Sequence, residues 1–156
     1  MNYFLNDEIT EDTVHDLIAV INEAEEKEDS LSIYVSSNGG DAYLMTILIH
    51  LLCYCKVQVD MFAIQALSAG CGLFKGCKSD NIKRYAFPHS VFMDHPGITR
   101  GTLSKNGVNY HETYDKSIEY LKKNTIKPFR DTDPDYFFGP EEELSLGLID
   151  EIIELF

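Results

Sequence analysis

The chain is expected to be an α/β protein, because a period-two run at residues 31–36, a nearly all-apolar helical run at 41–52 and a buried-strand run at 57–64 follow one another. Strands alternating with helices in this way build a mainly parallel sheet. The 156 residues suffice for one ordinary domain, and no internal repeat divides them. With 44% apolar and 25% charged residues the chain can bury a proper core, which excludes disordered and collagen-like classes.

The elements follow in order. After a short apolar start at residues 3–5, Thr10 can cap a helix whose first turn carries Glu11 and Asp12, the sign that suits the helix dipole. Val14, Leu17, Ile18, Ile21 and Ala24 share one face of that helix. Leu31, Ile33 and Val35 then alternate with Ser32, Tyr34 and Ser36 in a strand that ends at Asn38-Gly39-Gly40. A helix over 41–52 is apolar nearly all round. Residues 57–64 read as a buried strand, 69–74 as a short helix, and 84–87 with 91–93 as two strand pieces separated by Pro88. Beyond His95, residues 97–106 are loop-like, and Tyr110, Tyr114, Ile118 and Leu121 mark a helix outside the core repeat. Residues 131–135 make a turn rich in Asp and Pro, 140–146 a short helix stopped by Gly147, and 148–153 a closing strand.

Charge and targeting signals narrow the function classes. Acidic residues outnumber basic ones 26 to 13, a formal charge of −13, and such a surface repels phosphate backbones, which argues against a nucleic-acid partner. The longest nearly apolar run, residues 42–55, contains Thr46 and His50 and falls short of the roughly 20 residues of a spanning helix. No membrane span is therefore expected. The start turns acidic at once, with neither a basic region nor a small-residue cleavage site, so a cytoplasmic location is expected. Cys53, Cys55, Cys71 and Cys77 form no C-x-x-C pair and fit buried thiols in a reducing compartment.

A few residues could carry chemistry. Ser68 stands where a buried strand becomes a helix, either as the helix N-cap or as a hydroxyl presented to free backbone N–H groups that favour developing negative charge. The Asn38-Gly39-Gly40 turn is either an ordinary strand-to-helix connection or a place where the Gly40 N–H points into a cleft and, with the Ala69 N–H, forms an oxyanion hole. His95 closes a strand-like run, and a neutral imidazole there can act as general base. Asp94 is adjacent in a period-two element and should face the other way. Asp131, Asp133 and Asp135 are candidates for fixing the imidazole tautomer. His50, Cys53 and Cys55 lack a second ligand pair at zinc spacing and read as core packing, so no metal is expected.

Taken as an ordered set, these residues resemble the ClpP family of caseinolytic serine peptidases from Phe4 to Ile153. Ile33-Tyr34-Val35-Ser36-Ser37-Asn38-Gly39-Gly40 is similar to the family strand ending in N-S-P-G-G, and Gln65-Ala66-Leu67-Ser68-Ala69-Gly70 to its G-Q-A-A-S-M-G nucleophile turn. Lys83-Arg84-Tyr85-Ala86-Phe87-Pro88 resembles K-R-x-x-L-P, with His95 seven residues after Pro88. Asp135-Tyr136-Phe137, Glu141-Glu142 and Gly147-Leu148-Ile149-Asp150 resemble the closing D-x-F, E-A and G-L-I-D.

The resemblance implies Ser68 as nucleophile, His95 as general base and acid, Asp135 as the residue orienting His95, and Gly40 and Ala69 as the oxyanion hole. It implies a spiral of β-α-β units of the ClpP and crotonase type over residues 1–156, with a helical handle at about residues 97–130, assembled into stacked rings around the active sites. Between His95 and Asp135 lie fewer residues than in the family, Pro134 replaces the Arg that pairs across the ring equator, and the chain starts almost at the first strand. A ring-like homo-oligomer is expected, with the double ring and an unfoldase ATPase partner left open. The expected function is a serine endopeptidase hydrolysing peptides or unfolded polypeptides through an acyl-enzyme on Ser68, with no metal or organic cofactor. The alternatives are a crotonase-type acyl-CoA enzyme and a catalytically silent structural or assembly subunit of the same fold.

Overall fold

The computed structural model describes residues 1–95 and 135–154. The expected loop and outer helix of residues 97–130, and residues 131–134 of the expected turn, lie outside the described residues. The described strands form one sheet in the order β1 (Asn2–Ile9), β2 (Leu31–Gly40), β3 (Val59–Leu67), β4 (Ile82–Asp94) and β5 (Tyr136–Phe138). Strands β1 to β4 are parallel neighbours. On the far edge of β4, β5 pairs antiparallel with its C-terminal end and β6 (Glu151–Ile152) pairs parallel lower down. Three helices make the crossovers: α1 (Glu11–Lys27), α2 (Ala42–Tyr54) and α3 (Ala69–Gly76). Strands laid down in sequence with crossovers of one hand put their helices on one face, and α1 indeed packs on α2 and α2 on α3.

The core lies between those helices and the sheet. Leu31, Ile33 and Val35 of β2 and Val59, Met61 and Ala63 of β3 are buried with Leu17, Ile21, Leu48, Leu52, Leu73 and Phe74. Each large side chain buried in this way stabilises the fold by about 1.5–3 kcal/mol. On the opposite face Phe4, Tyr34, Phe62 and Tyr85 stand in register on β1 to β4 and stack at centroid separations of 4.9, 4.9 and 5.1 Å.

The helix starts are as expected. Thr10 accepts a hydrogen bond from the Thr13 N–H and closes a capping box, and Asp41 accepts from the N–H groups of Tyr43 and Leu44 at 2.7 and 3.0 Å. Ile18 differs: Val14, Leu17, Ile21 and Ala24 are buried, but Ile18 lies at the edge of that face and is exposed.

The two strand pieces around Pro88 are one strand. Ala63 of β3 pairs with Ala86 and Gln65 with Val91, so residues 87–90 bulge out of the ladder without ending it. Ser90 makes this tolerable, because its hydroxyl donates to the Ala63 carbonyl at 2.6 Å and accepts from the Phe87 N–H at 2.8 Å. Near the end of the chain, α4 (Pro140–Ser145) stops at Gly147, whose φ is +66°. The expected closing strand is shorter than residues 148–153, only β6. Leu148 and Ile149 are buried, and Asp150 turns its carboxylate onto Arg84, with Nη2–Oδ1 at 2.9 Å and Nε–Oδ2 at 3.2 Å. Arg84 also donates to the carbonyls of Phe74 and Gly147, so one buried guanidinium ties α3, β4 and the closing segment together. No helix among the described residues is long and apolar enough to cross a membrane.

Candidate active site

Open parallel sheets place functional groups outside the carboxyl ends of their strands. Here those ends carry Asn38-Gly39-Gly40 on β2, Ser68 after β3, and His95 after β4. Ser68 occupies the cap position of α3, yet its side chain makes no capping hydrogen bond. Its hydroxyl lies 2.7 Å from His95 Nε2 instead. The backbone of Ser68 has φ +54° and ψ −118°, a region costing a side-chain-bearing residue about 1–3 kcal/mol. That conformation is held by the Ser68 N–H donating to the Met93 carbonyl at 2.8 Å and by the Gly72 N–H donating to the Ser68 carbonyl at 3.0 Å. A strained strand-to-helix turn that lifts a serine hydroxyl out of the sheet is the geometry of a nucleophile elbow.

The glycine turn of β2 is fitted to this serine. Gly39 has φ +110°, and a Cβ on it would stand 2.7 Å from Ser68 Cβ, so only glycine allows the approach. Its N–H donates to Ser37 Oγ at 3.1 Å, and the same buried hydroxyl donates to the Asp7 carbonyl at 2.6 Å, pinning the turn to β1. Gly40 sits against Ile9 in the β1–β2 register. The next residue, Asp41, gives its N–H to the Ile9 carbonyl at 3.2 Å. Gln65 Nε2 donates to Asn38 Oδ1 at 2.7 Å and braces the turn from β3. Ala69 is the first residue of α3, where backbone N–H groups lack intrahelical acceptors. The sequence marks Gly39 only as part of the Asn38-Gly39-Gly40 turn and gives Ser37 no role of its own.

The third expected member, Asp135, is exposed and precedes β5 directly. The β4–β5 register pairs Phe92 with Phe138, Met93 with Phe137 and Asp94 with Tyr136. Continued by one residue, it sets Asp135 opposite His95. Asp94 faces the other way, as its place in the strand requires, and forms an ion pair with Lys75 of α3.

Behind that pair lies a buried carboxyl that the sequence did not signal. Glu143 of α4 is fully buried, its Oε1 receives the weak donor Cys71 Sγ at 4.0 Å, and its Oε2 has no hydrogen-bond partner among the described residues. Burial pushes Glu143 up to about 8, against the pull of Lys75. Burial likewise pushes the Cys71 thiol up. Of the residues read as core packing, Cys55 is buried and its Sγ donates to the Leu52 carbonyl at 3.2 Å, whereas His50 is exposed, on a side of α2 turned away from the core, with its Nδ1 2.7 Å from the Thr46 carbonyl.

Fold and geometry together define an α/β protein of mainly parallel sheet, with a serine and a histidine meeting at the ends of neighbouring parallel strands. Comparison of sequences names the class more closely: residues 2–155 match the Clp protease family, and the chain belongs to it. It is 30% identical over 162 residues to ATP-dependent Clp protease proteolytic subunit 1 of Synechococcus sp. (strain CC9902), covering 97% of this chain and 82% of that protein. Subunit 2 of Parasynechococcus marenigrum is 29% identical with the same coverage. The proteolytic subunit of Deinococcus radiodurans is 30% identical over 142 residues, 85% of this chain and 69% of that protein. The family is one of peptidases, and neither the acyl-CoA reading nor the silent-subunit reading is favoured by it.

Proposed function

We propose that the protein is a serine endopeptidase that cleaves peptides or unfolded polypeptides through an acyl-enzyme on Ser68. The observation that carries this is the Ser68 hydroxyl, uncommitted to capping and 2.7 Å from His95 Nε2 at the top of a strained turn. Ser68 Oγ attacks the scissile carbonyl while His95 Nε2 takes its proton. The oxyanion that forms is held by the N–H groups of Gly40 and Ala69, each such donor contributing on the order of 3 kcal/mol. His95 then protonates the leaving amine, the amine departs, and water repeats the sequence on the acyl-enzyme. Asp135, opposite His95 by register, holds the imidazole in the tautomer with its proton on Nδ1.

The assembly proposed is a homo-oligomer, supported by the aromatic stripe across the sheet, in which Phe4 is 57% exposed. A reducing cytoplasmic setting is proposed from the four cysteines, all free.

A fluorophosphonate tests the chemistry: one probe should add to the intact protein, and none to Ser68→Ala. Loss of His95 should slow acylation by roughly 10² or more. Asp135→Asn should lower turnover by a large factor and Asp131→Asn should do little. Probe retained on Ser68→Ala would refute the nucleophile, and equal effects of the two Asp substitutions would refute Asp135.

A further inference from the structure

We propose that the ion pair between Lys75 and Asp94 is a positioning device that clamps the strand end carrying His95 onto the helix carrying Ser68. This rests on the Ser68–His95 reading and names residues that act through it.

The placement follows from the two periodicities. Ser68 begins α3 and Lys75 stands seven residues on, two helical turns later, on nearly the same side of the helix. Side chains on a helix lean toward its N-terminus, so the Lys75 ammonium is carried back toward the Ser68 end. On β4, Phe92 and Asp94 share the face turned to α3: Phe92 meets Phe74 edge-on at 5.8 Å, and Asp94 meets Lys75. His95, the next residue, takes the opposite face and reaches Ser68. Helix α3 and the end of β4 are thus joined at two points, the Lys75–Asp94 pair behind and the Ser68–His95 contact in front, with the Ser68 N–H to Met93 carbonyl bond between them.

The surroundings make the pair selective for geometry. Lys75 is buried and Asp94 half-buried, so their attraction is little screened and fixes both atoms in one arrangement. Beside the pair stand Glu143 from α4 and Cys71 from α3, and Arg84 from β4 acts on the same Glu143 carboxyl. Burial holds Glu143 and Cys71 toward their neutral forms, which weakens both as rival anions for Lys75. A buried ammonium two turns behind a nucleophile stabilises little by itself, since apolar residues of similar size commonly replace buried ion pairs without loss. Its use here is to set where the base stands.

The test compares the whole protein with Asp94→Asn and with the double substitution Lys75→Met with Asp94→Leu, which leaves no charge at the site. Peptide hydrolysis and hydrogen exchange at the Ser68 amide are read on each. Both variants should lower kcat by about tenfold to a hundredfold with KM unchanged, the scale expected when reacting groups move by about an ångström. Ser68 amide exchange should quicken by about tenfold or more while β1 and β2 amides exchange as in the parent protein, and Lys75→Arg should retain most of kcat. If Asp94→Asn loses protection everywhere, Lys75 stranded in the core has unfolded it, and the double variant decides. A double variant with parental kcat and parental Ser68 exchange overturns the clamp. Absence of any acylation in the parent protein would instead overturn the Ser68 reading, while the exchange measurement still decides the clamp.

Discussion

At the scale of single residues, burial and hydrogen bonding sort chemically identical groups into different roles. Four thiols share one apolar third of the chain, yet only Cys53 is held at about 7, chiefly because the Cys77 thiol hydrogen-bonds to it against the cost of burial. Cys55 and Cys71 are pushed up by burial, and Cys77 by its bond to Cys53. Since the thiolate is the nucleophile, iodoacetamide near neutral pH should modify Cys53 before the other three, as read by peptide mass mapping. Equal labelling of all four would contradict this assignment. Glu143 gives a second residue-scale prediction. Burial raises it in the fold to about 8 from an ordinary 4.5, so between these the folded state binds a proton that the unfolded state lacks, and stability falls as pH rises through that window. The slope from this group is about 1.4 kcal/mol per pH unit. Glu143→Gln should remove it, so that the variant gains thermal stability over the parent as pH is raised from 5 to 8, by roughly 3–6 °C per pH unit for a domain of this size. An unchanged difference across that range would show that Glu143 is ionised in the fold.

Elements matter here through their ends. The turn closing β2 and the turn opening α3 touch so closely that Gly39 leaves no room for a Cβ beside Ser68. Gly39→Ala would add both a steric clash and a strained φ of +110°, a cost of a few kcal/mol. Fluorophosphonate acylation of Gly39→Ala should fall by roughly a hundredfold, the scale of losing an oxyanion donor or misplacing a nucleophile by about an ångström. Acylation at the parental rate would show that the β2 turn takes no part. The bulge in β4 works at the same scale: residues 87–90 leave the ladder while Ser90 satisfies the groups they abandon, and the strand resumes in time to deliver Phe92, Asp94 and His95 to their faces.

The whole molecule combines a helix-covered sheet face with an aromatic one. Phe4, Tyr34, Phe62 and Tyr85 form a stripe across four strands, and a soluble monomer seldom leaves such a stripe to water. At a formal charge of −13 per chain, copies brought together in larger assemblies would repel one another over roughly 8 Å at physiological ionic strength. Sedimentation should therefore find an oligomer whose larger species gains as salt rises. A monomer at both low and high salt, or a double ring indifferent to salt, would refute this.

Much of the frame is written locally. The alternation at Leu31 to Val35, the Thr10 cap and the apolar runs depend on neighbours a few residues away, so the α/β order and most element positions are legible in the sequence alone. Ser68 and His95 could be singled out as candidates at strand ends, and the structure places the Ser68 hydroxyl 2.7 Å from His95 Nε2. What tertiary structure alone decided depends on groups far apart in the chain. β5 is three residues long and exists because β4 offers it an edge. Pro88 reads as a strand break until Ser90 is seen to bond Ala63, 27 residues earlier. Lys75, Asp94 and Glu143 look like surface charges in a string of letters. They become a buried cluster only when α3, β4 and α4 meet, because burial and Coulomb energy depend on distance in space rather than along the chain.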